Sequence, residues 1–108
     1  MKPPAHRVLY TREAKRNIDN LDPSVRKLVR KAVESLAAAP DRGKPLSHEL
    51  AGLRSLRTSD YRIIYRVKGG ELVVLVVAVG HRREVYKRLG ELLDLAGRKP
   101  RFSGQAGG

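Results

Sequence analysis

The most apolar stretch of the chain leads directly into side chains that could do chemistry. Seven consecutive apolar residues, Val73–Val79, run into a glycine. Four residues with reactive or charged side chains follow: His81, Arg82, Arg83 and Tyr86. An imidazole titrates near neutral pH, a tyrosine beside cations can have a lowered pKa, and either group can then move protons. Because a guanidinium stabilises charge on a transferring phosphoryl group, these residue types predict phosphate chemistry at the end of a strand.

A second cationic group is predicted on the two strands before this one. If Ser59-Asp60 is a two-residue hairpin turn, Arg57 lies directly opposite Arg62 on one sheet face. Like charges so placed destabilise a sheet, so the two side chains either splay into water or hold a phosphate between their forks. Four further cations could extend the patch into a track for a phosphate backbone: Lys44, Arg54, Arg66 and Lys68.

The pairing register decides which residue joins Arg62 at this site. A two-residue turn at Gly69-Gly70 places Arg62 opposite Val77. Strict alternation then puts His81, and not Arg82, on the face of Arg62. A three-residue turn, or a bulge at the glycine that ends the apolar run, reverses this assignment. The sequence leaves the choice between the two residues open.

Hydrophobic periodicity predicts the elements that come before these strands. The segment "HRVLYT", residues 6–11, alternates like a short strand, and Thr11 can cap a following helix. A second helix follows Asp22-Pro23, with apolar residues at i, i+3, i+4, i+7, i+8 and i+11 from Val25, and it ends at Pro40. A two-residue join connects the helices, so they form an antiparallel hairpin.

Residues 41–52, "DRGKPLSHELAG", are predicted as a loop, and the pattern changes from helix to strand after residue 52. The segment "YRIIYRVK" alternates, with one set of side chains on each face: Tyr61, Ile63, Tyr65 and Val67 against Arg62, Ile64, Arg66 and Lys68. Together with its neighbours it predicts a three-stranded antiparallel meander. The whole order predicts an α+β domain with an N-terminal strand, a helix hairpin packed on one sheet face, and one sheet. Apolar residues at helical spacing from Val85 predict a short last helix.

The composition bounds the class of protein. The 108 residues make one domain, which we place at residues 1–96, followed by a basic tail at residues 97–108 that we expect to be disordered. The absence of cysteine excludes disulfides and thiolate metal sites. The longest apolar run is far shorter than the about 20 residues of a membrane span, and "MKPPAHRVLY" lacks the apolar region of a signal peptide. The sequence therefore predicts a soluble, cytoplasmic protein with no segment that spans a membrane.

The charge indicates a polyanionic partner. Lysine and arginine total 23 against 11 acidic residues, a net charge of +12. Such an excess destabilises an isolated fold by self-repulsion, which favours a nucleic acid, an acidic protein or a membrane surface over a basic exterior with no target. The sequence holds neither a carboxylate pair for two-metal hydrolysis nor a glycine-rich nucleotide loop, so we expect no metal and no other cofactor.

Two segments together resemble a known family. "LAGLRSLRTSDYRIIYRV" followed by "VVLVVAVGHRREVYK" resembles the RelE/ParE superfamily of bacterial and archaeal toxins, and "YTREAKRNIDNLDPSVRKLVRKAVESLAAAP" matches its helix hairpin. The resemblance covers residues 6–89, and its most specific elements are Gly52, "DYRIIY" at 60–65 and "GHRREVY" at 80–86. It implies a RelE-like fold. For RelE-like members it implies a ribosome-dependent mRNA interferase, an endoribonuclease that inhibits translation and is neutralised by an acidic antitoxin.

The resemblance also implies roles for individual residues. The family's strand arginine falls on Arg62, its end-of-strand arginine on Arg82 and its C-terminal tyrosine on Tyr86. The two arginines would neutralise the scissile phosphate while the ribose 2′-OH attacks it without a metal, and Tyr86 would stack on a base or assist proton transfer. Arg57 and Arg83 would join the RNA-binding cations. The partners implied are the ribosome, mRNA and a cognate acidic antitoxin.

The sequence also departs from the family pattern. The best-known RelE-type enzymes carry lysines at positions that here correspond to Leu53 and Ser55. The general base is therefore open, and His81 becomes a candidate to supplement it. ParE-like members share the fold but inhibit DNA gyrase instead of cutting RNA. Since they tend to lack the arginine-plus-tyrosine end, its presence here favours the RelE-like reading.

Overall fold

Five strands form the sheet that positions the site. The structure is a computed structural model that describes residues 5–95. The strands are β1 Arg7–Tyr10, β2 Lys44–Pro45, β3 Arg54–Thr58, β4 Tyr61–Lys68 and β5 Val73–His81. Their order in the sheet is β1-β5-β4-β3-β2, with β1 parallel to β5 and all other neighbours antiparallel. The predicted meander β3-β4-β5 is confirmed, and β2 is an added two-residue strand inside the segment that the sequence predicts as a loop.

Three helices accompany the sheet: α1 Arg12–Asp19, α2 Pro23–Ala38 and α3 Glu84–Leu95. Thr11 caps α1 as predicted, since its hydroxyl accepts a hydrogen bond from the Ala14 main-chain N–H at 3.1 Å. Proline stands at the first position of α2, where its missing N–H costs nothing. The helix hairpin and the last helix are therefore both confirmed. No helix in the described part of the chain is long and apolar enough to cross a membrane.

The helices cover opposite faces of the sheet. Neighbouring residues of a strand point to opposite faces, and Ile63 and Ile64 accordingly belong to two separate apolar clusters. Ile63 packs under α1 and α2 with residues such as Val29 and Val33, on what we call the hairpin face. Ile64 packs with Ala78 under Val85 and Leu89 of α3, on what we call the α3 face.

The pairing of β4 with β3 follows the predicted register, and the pairing of β4 with β5 does not. The Ser59-Asp60 turn is confirmed, because Thr58 pairs with Tyr61 across it. The two-residue turn at Gly69-Gly70 is wrong: a single 3₁₀ turn and a left-handed Leu72, with a φ of 54°, connect the strands instead.

A register shift between Ile64 and Tyr65 adds to this difference, because Ile64 pairs with Ala78 and Tyr65 pairs with Val76. Arg62 consequently lies opposite Gly80 and not opposite Val77. The predicted domain end at residue 96 and the predicted disordered tail at residues 97–108 lie outside the described residues.

Candidate functional site

Two arginines oppose each other on the α3 face, next to the β3–β4 turn. Arg57 pairs with Arg62 in register, as the sequence predicts. Arg57 is exposed, and its Nε donates a hydrogen bond to the Ser59 carbonyl at 3.3 Å. Arg62 is predicted to face solvent, but it is half-buried. We call these two residues the arginine pair.

The arginine pair lacks negative counterparts. The Nε of Arg62 is buried and has no hydrogen-bond partner among the described residues. A buried donor without an acceptor costs about 1–3 kcal/mol, and more when it is charged. Neither Arg57 nor Arg62 takes part in the ion pairs found within residues 5–91. The pair therefore presents positive charge that no carboxylate among the described residues compensates, which suits an anion.

Tyr86 reaches the same face from α3. Its hydroxyl donates a hydrogen bond to the Ser55 Oγ at 3.0 Å, and Ser55 is only 8% exposed. Ser55 lies two residues before Arg57 on β3, so the two side chains share a face about 7 Å apart. Tyr86 packs against the cluster under α3 and away from the helix hairpin. Its hydroxyl thus ends beside the arginine pair.

Gly80 lies opposite Arg62 where α3 begins to pack on the sheet. The two residues pair across β4 and β5, so they share the α3 face. A Cβ at Gly80 would lie 3.4 Å from the Cβ of Val85, so the start of α3 packs directly against this position. The missing side chain at residue 80 thus lets Val85 approach the strand beside Arg62.

His81 lies on the other face of the sheet. It pairs with Tyr61, and the two rings meet edge to face with centroids 5.9 Å apart at 79°. Tyr61 precedes Arg62 on the strand and therefore points to the hairpin face. The choice that the sequence leaves open is decided against His81, because the longer connection and the register shift move the pairing of Arg62 by three residues, from Val77 to Gly80. The catalytic assignment of His81 thus lacks a geometric basis.

The two arginines in the turn after β5 are exposed to solvent. Arg82 and Arg83 are both exposed, and they follow His81 directly. The main-chain N–H of Arg82 donates to the Asp60 carbonyl at 2.9 Å, so this turn is tied to the β3–β4 turn. Arg82 is thereby held at the end of the sheet where the arginine pair lies.

The other predicted cations divide between the faces. Lys44 pairs with Ser55 and lies on the α3 face, where it is exposed. Arg66 is exposed on the same face, two residues after Ile64. Arg54 pairs with Tyr65 on the hairpin face.

The guanidinium of Arg54 is already engaged. Its Nε donates to the Gly43 carbonyl at 3.0 Å and its Nη2 to the Asp41 carbonyl at 3.2 Å. The structure therefore gives Arg54 a role in holding the loop before β2 and does not bring it to the arginine pair.

Sequence reasoning missed the contribution of Ser55. In the sequence, Ser55 stands out only as a departure from the family's lysine. In the structure it accepts the hydrogen bond of the Tyr86 hydroxyl. The signal was present in the pattern, since Ser55 alternates with Arg57 on one face of β3. Its partner could not be found, because the face that α3 covers is set by tertiary packing.

Comparison with known families gives a match over most of the chain. Residues 8–86 match the family described as "ParE toxin of type II toxin-antitoxin system, parDE". Toxin RelG of Mycobacterium tuberculosis is 37% identical over 83 residues, which cover 75% of this chain and 95% of that protein. Toxin RelE of the same organism is 38% identical over 45 residues, covering 42% of this chain and 46% of the relative.

Solved structures give the same picture of the fold. A chain of the toxin-antitoxin complex RelBE2 from Mycobacterium tuberculosis superimposes with a TM-score of 0.69 at 36% identity, covering 75% of this chain and 95% of that one. The isolated RelE toxin of E. coli superimposes with a TM-score of 0.63 at 23% identity, covering 82% and 99%. The second likeness extends to the fold alone.

Proposed function

Because the chain belongs to the RelE/ParE superfamily of type II toxin-antitoxin toxins, we propose that it is a ribosome-dependent endoribonuclease that cuts mRNA and thereby inhibits translation. One observation carries the proposal. The uncompensated arginine pair lies beside the anchored hydroxyl of Tyr86 on a single face. Cleavage of a phosphodiester bond needs two kinds of group: one that neutralises the charge on the phosphate and one that transfers a proton.

The reaction is an internal transfer within the RNA. The ribose 2′-oxygen forms a bond to the adjacent phosphorus, and the bond from that phosphorus to the 5′-oxygen of the next nucleotide breaks. The 2′-hydroxyl loses a proton and the departing 5′-oxygen gains one. The products are a 2′,3′-cyclic phosphate and a 5′-hydroxyl, so no water is consumed.

The arginine pair stabilises the charge that builds on the phosphate oxygens. Arg62 contributes the accessible part of its half-buried guanidinium, which forms no ion pair among the described residues. Arg57 approaches from the facing strand and Arg82 from the neighbouring turn. Donors that are fixed before the reaction need no rearrangement at the transition state, which is the source of their effect.

Tyr86 moves the proton. Its hydroxyl is held by Ser55 on the face that carries the arginine pair. A base of the RNA stacked on the ring is compatible with this position. Because His81 lies on the opposite face, Tyr86 performs this task without an imidazole.

The remaining exposed cations guide the RNA towards the site. Lys44 and Arg66 lie on the α3 face and Arg83 follows Arg82 at its end, so they flank the arginine pair. Contacts of this kind go to the phosphate backbone and carry affinity without sequence information. They account for part of the net charge of +12.

The second partner is an acidic antitoxin. Similar chains have been solved within toxin-antitoxin complexes, among them RelBE2 from Mycobacterium tuberculosis and RelBE from E. coli. A protein with a net charge of +12 and an open arginine pair is matched by an acidic chain that covers this pair. Such charge complementarity speeds association and makes its rate fall as salt rises.

A gyrase inhibitor is the second candidate. The matched family is described as a ParE toxin, and ParE-like members act on DNA gyrase without cutting nucleic acid. In that case the arginine pair would serve as a contact for an acidic protein surface. The two candidates differ in whether an RNA bond is broken.

Two parallel assays separate the candidates. The purified protein is added to ribosomes programmed with mRNA, and separately to gyrase with relaxed plasmid. We expect shortened mRNA in the first assay and unchanged supercoiling in the second. Intact mRNA together with blocked supercoiling would replace the ribonuclease proposal by the gyrase candidate.

A further inference from the structure

Helix α3 is held to the body of the protein on two opposite sides. Tyr86 bonds to Ser55 on β3, and Arg88, two residues later, bonds to Glu13 on α1. Residues two apart on a helix point about 200° apart, because each residue turns the helix by about 100°. The two contacts therefore restrain rotation of α3 about its own axis from opposite directions. If one contact is lost, the other no longer fixes that rotation alone.

On the side of α3 opposite to Tyr86, the carboxylate of Glu13 is the hydrogen-bond acceptor for Arg88. Its Oε2 accepts from the Arg88 Nε at 3.1 Å and its Oε1 from the Arg88 Nη2 at 3.4 Å. The carboxylate also accepts from the Asn17 Nδ2 at 2.9 Å, and the Glu13 side chain is only 11% exposed. A two-point contact between a guanidinium and a carboxylate fixes geometry as well as distance. Glu13 thus holds Arg88 in one orientation.

The same network reaches the end of β5. The Asn17 Oδ1 accepts from the Val79 main-chain N–H at 3.0 Å, and the Thr11 hydroxyl donates to the Val77 carbonyl at 2.8 Å. Strand β1 pairs with β5 only as far as Val76, so α1 satisfies the strand edge beyond that point. Gly80, the residue that faces Arg62, follows directly.

We propose that Glu13 is a positioning residue: through Arg88 it fixes the rotation of α3 and so holds the Tyr86 hydroxyl beside the arginine pair. Glu13 has this role only if the arginine pair and Tyr86 form the ribonuclease site proposed above. It does not touch the RNA, since α1 packs on the hairpin face and the arginine pair lies on the α3 face.

Loss of the Glu13 carboxylate changes the position of α3 without detaching it. Val85 and Leu89 stay buried against Ile64 and Ala78, so the helix remains on the sheet. The restraint against rotation disappears, and the Tyr86 hydroxyl shifts relative to the phosphate. A misplacement of about 1 Å at a reacting group costs up to about 100-fold in rate. Binding of RNA, which depends on the cations, stays the same.

The test compares Glu13→Gln with Glu91→Gln in the full-length protein. Both glutamates contact Arg88, but Glu91 is 54% exposed and lies 3.6 Å away, so it serves as the matched control. Single-turnover cleavage on programmed ribosomes gives the maximal rate and the half-saturating protein concentration. We expect Glu13→Gln to lower the maximal rate by about 10- to 100-fold with an unchanged half-saturating concentration, and Glu91→Gln to behave like the wild type.

A second arm separates positioning from general structural damage. In a Tyr86→Phe background, Glu13→Gln should cause no further loss, because the hydroxyl that it positions is gone. Additive losses, or an unchanged maximal rate in Glu13→Gln alone, would overturn the proposal.

Hydrogen exchange makes the result independent of cleavage. In Glu13→Gln the amides of residues 85–89 should exchange faster, and those of α2 should not change. If the wild type cuts no RNA, the ribonuclease function is wrong while faster exchange still shows that Glu13 holds α3. Unchanged exchange at residues 85–89 overturns the role of Glu13 whatever the cleavage result.

Discussion

Arg57 and Arg62 lie directly opposite each other across the β3–β4 hairpin, and the buried Nε of Arg62 has no partner among the described residues. Like charges in register and an unsatisfied buried donor both oppose folding. Proteins tolerate such conflicts where function needs them and stabilise the fold elsewhere. The apolar clusters on both sides of the sheet supply that stabilisation here.

Tyr86→Phe should reduce mRNA cleavage by about 100-fold or more, since a positioned proton-transfer group contributes about 10²–10⁴-fold. The matched variant is Ser55→Ala, which keeps the hydroxyl but removes one of the two contacts that hold α3, so its loss should be smaller and similar to that of Glu13→Gln. Single-turnover rates on programmed ribosomes measure both. Equal losses in the two variants would show that the Tyr86–Ser55 contact is merely structural.

His81→Ala should leave cleavage within about tenfold of the wild-type rate, far less than the loss of a proton-transfer group. The reason is its position on the hairpin face beside Tyr61. Arg82→Ala, one residue later, should lower the rate more than His81→Ala does. A loss of about 100-fold in His81→Ala, in a variant with an unchanged melting temperature, would return the imidazole to the mechanism.

The helix hairpin and the arginine pair could be predicted because their signals are local. Asp22-Pro23 marks a helix start wherever it folds, and the alternation of residues 61–68 fixes which side chains share a face. The Ser59-Asp60 turn then determines that Arg57 opposes Arg62. Each of these inferences needs only neighbouring residues.

The face on which His81 lies could not be predicted, because it depends on a turn geometry and a register shift that no sequence pattern specifies. Two glycines at 69–70 permit several turn geometries, and the chain adopts a 3₁₀ turn with a left-handed Leu72. The register shift opposite Tyr65 lies in an all-apolar strand where any residue could be the extra one. The Tyr86–Ser55 contact likewise follows from the docking of α3, which no local pattern specifies.

Tyr65→Phe should destabilise the protein by about 1–3 kcal/mol, because it removes a buried hydroxyl with two partners. The hydroxyl donates to the Pro40 carbonyl at 2.7 Å and accepts from the Gly43 N–H at 2.8 Å. This contact holds the loop before β2 and hence Lys44. Thermal unfolding measures the effect, with Tyr10→Phe as a more exposed control. Equal melting temperatures for the two variants would contradict this role.

Glu13 should make the stability of the protein depend on acid pH. The hydrogen bonds from Arg88 and then Asn17 lower the pKa of the Glu13 carboxyl below its ordinary value of 4.5. A lowered folded-state pKa means that the stabilisation is complete above the unfolded value and is lost as pH falls through the folded value. The difference in melting temperature between wild type and Glu13→Gln should therefore be constant near neutral pH and shrink below about pH 4.5. A difference that does not change between pH 6 and 3 would contradict the ionised Glu13–Arg88 contact.

The most direct test of the ribonuclease mechanism is to map mRNA 5′ ends on programmed ribosomes with wild type, Arg62→Gln and the exposed control Arg30→Gln. Wild type and Arg30→Gln should produce the same new 5′-hydroxyl ends. Arg62→Gln should produce them about 100-fold more slowly while keeping its melting temperature, because it loses a guanidinium that stabilises the transition state and forms no ion pair among the described residues. Wild-type cleavage by folded Arg62→Gln, or no new ends with the wild type, would contradict the account.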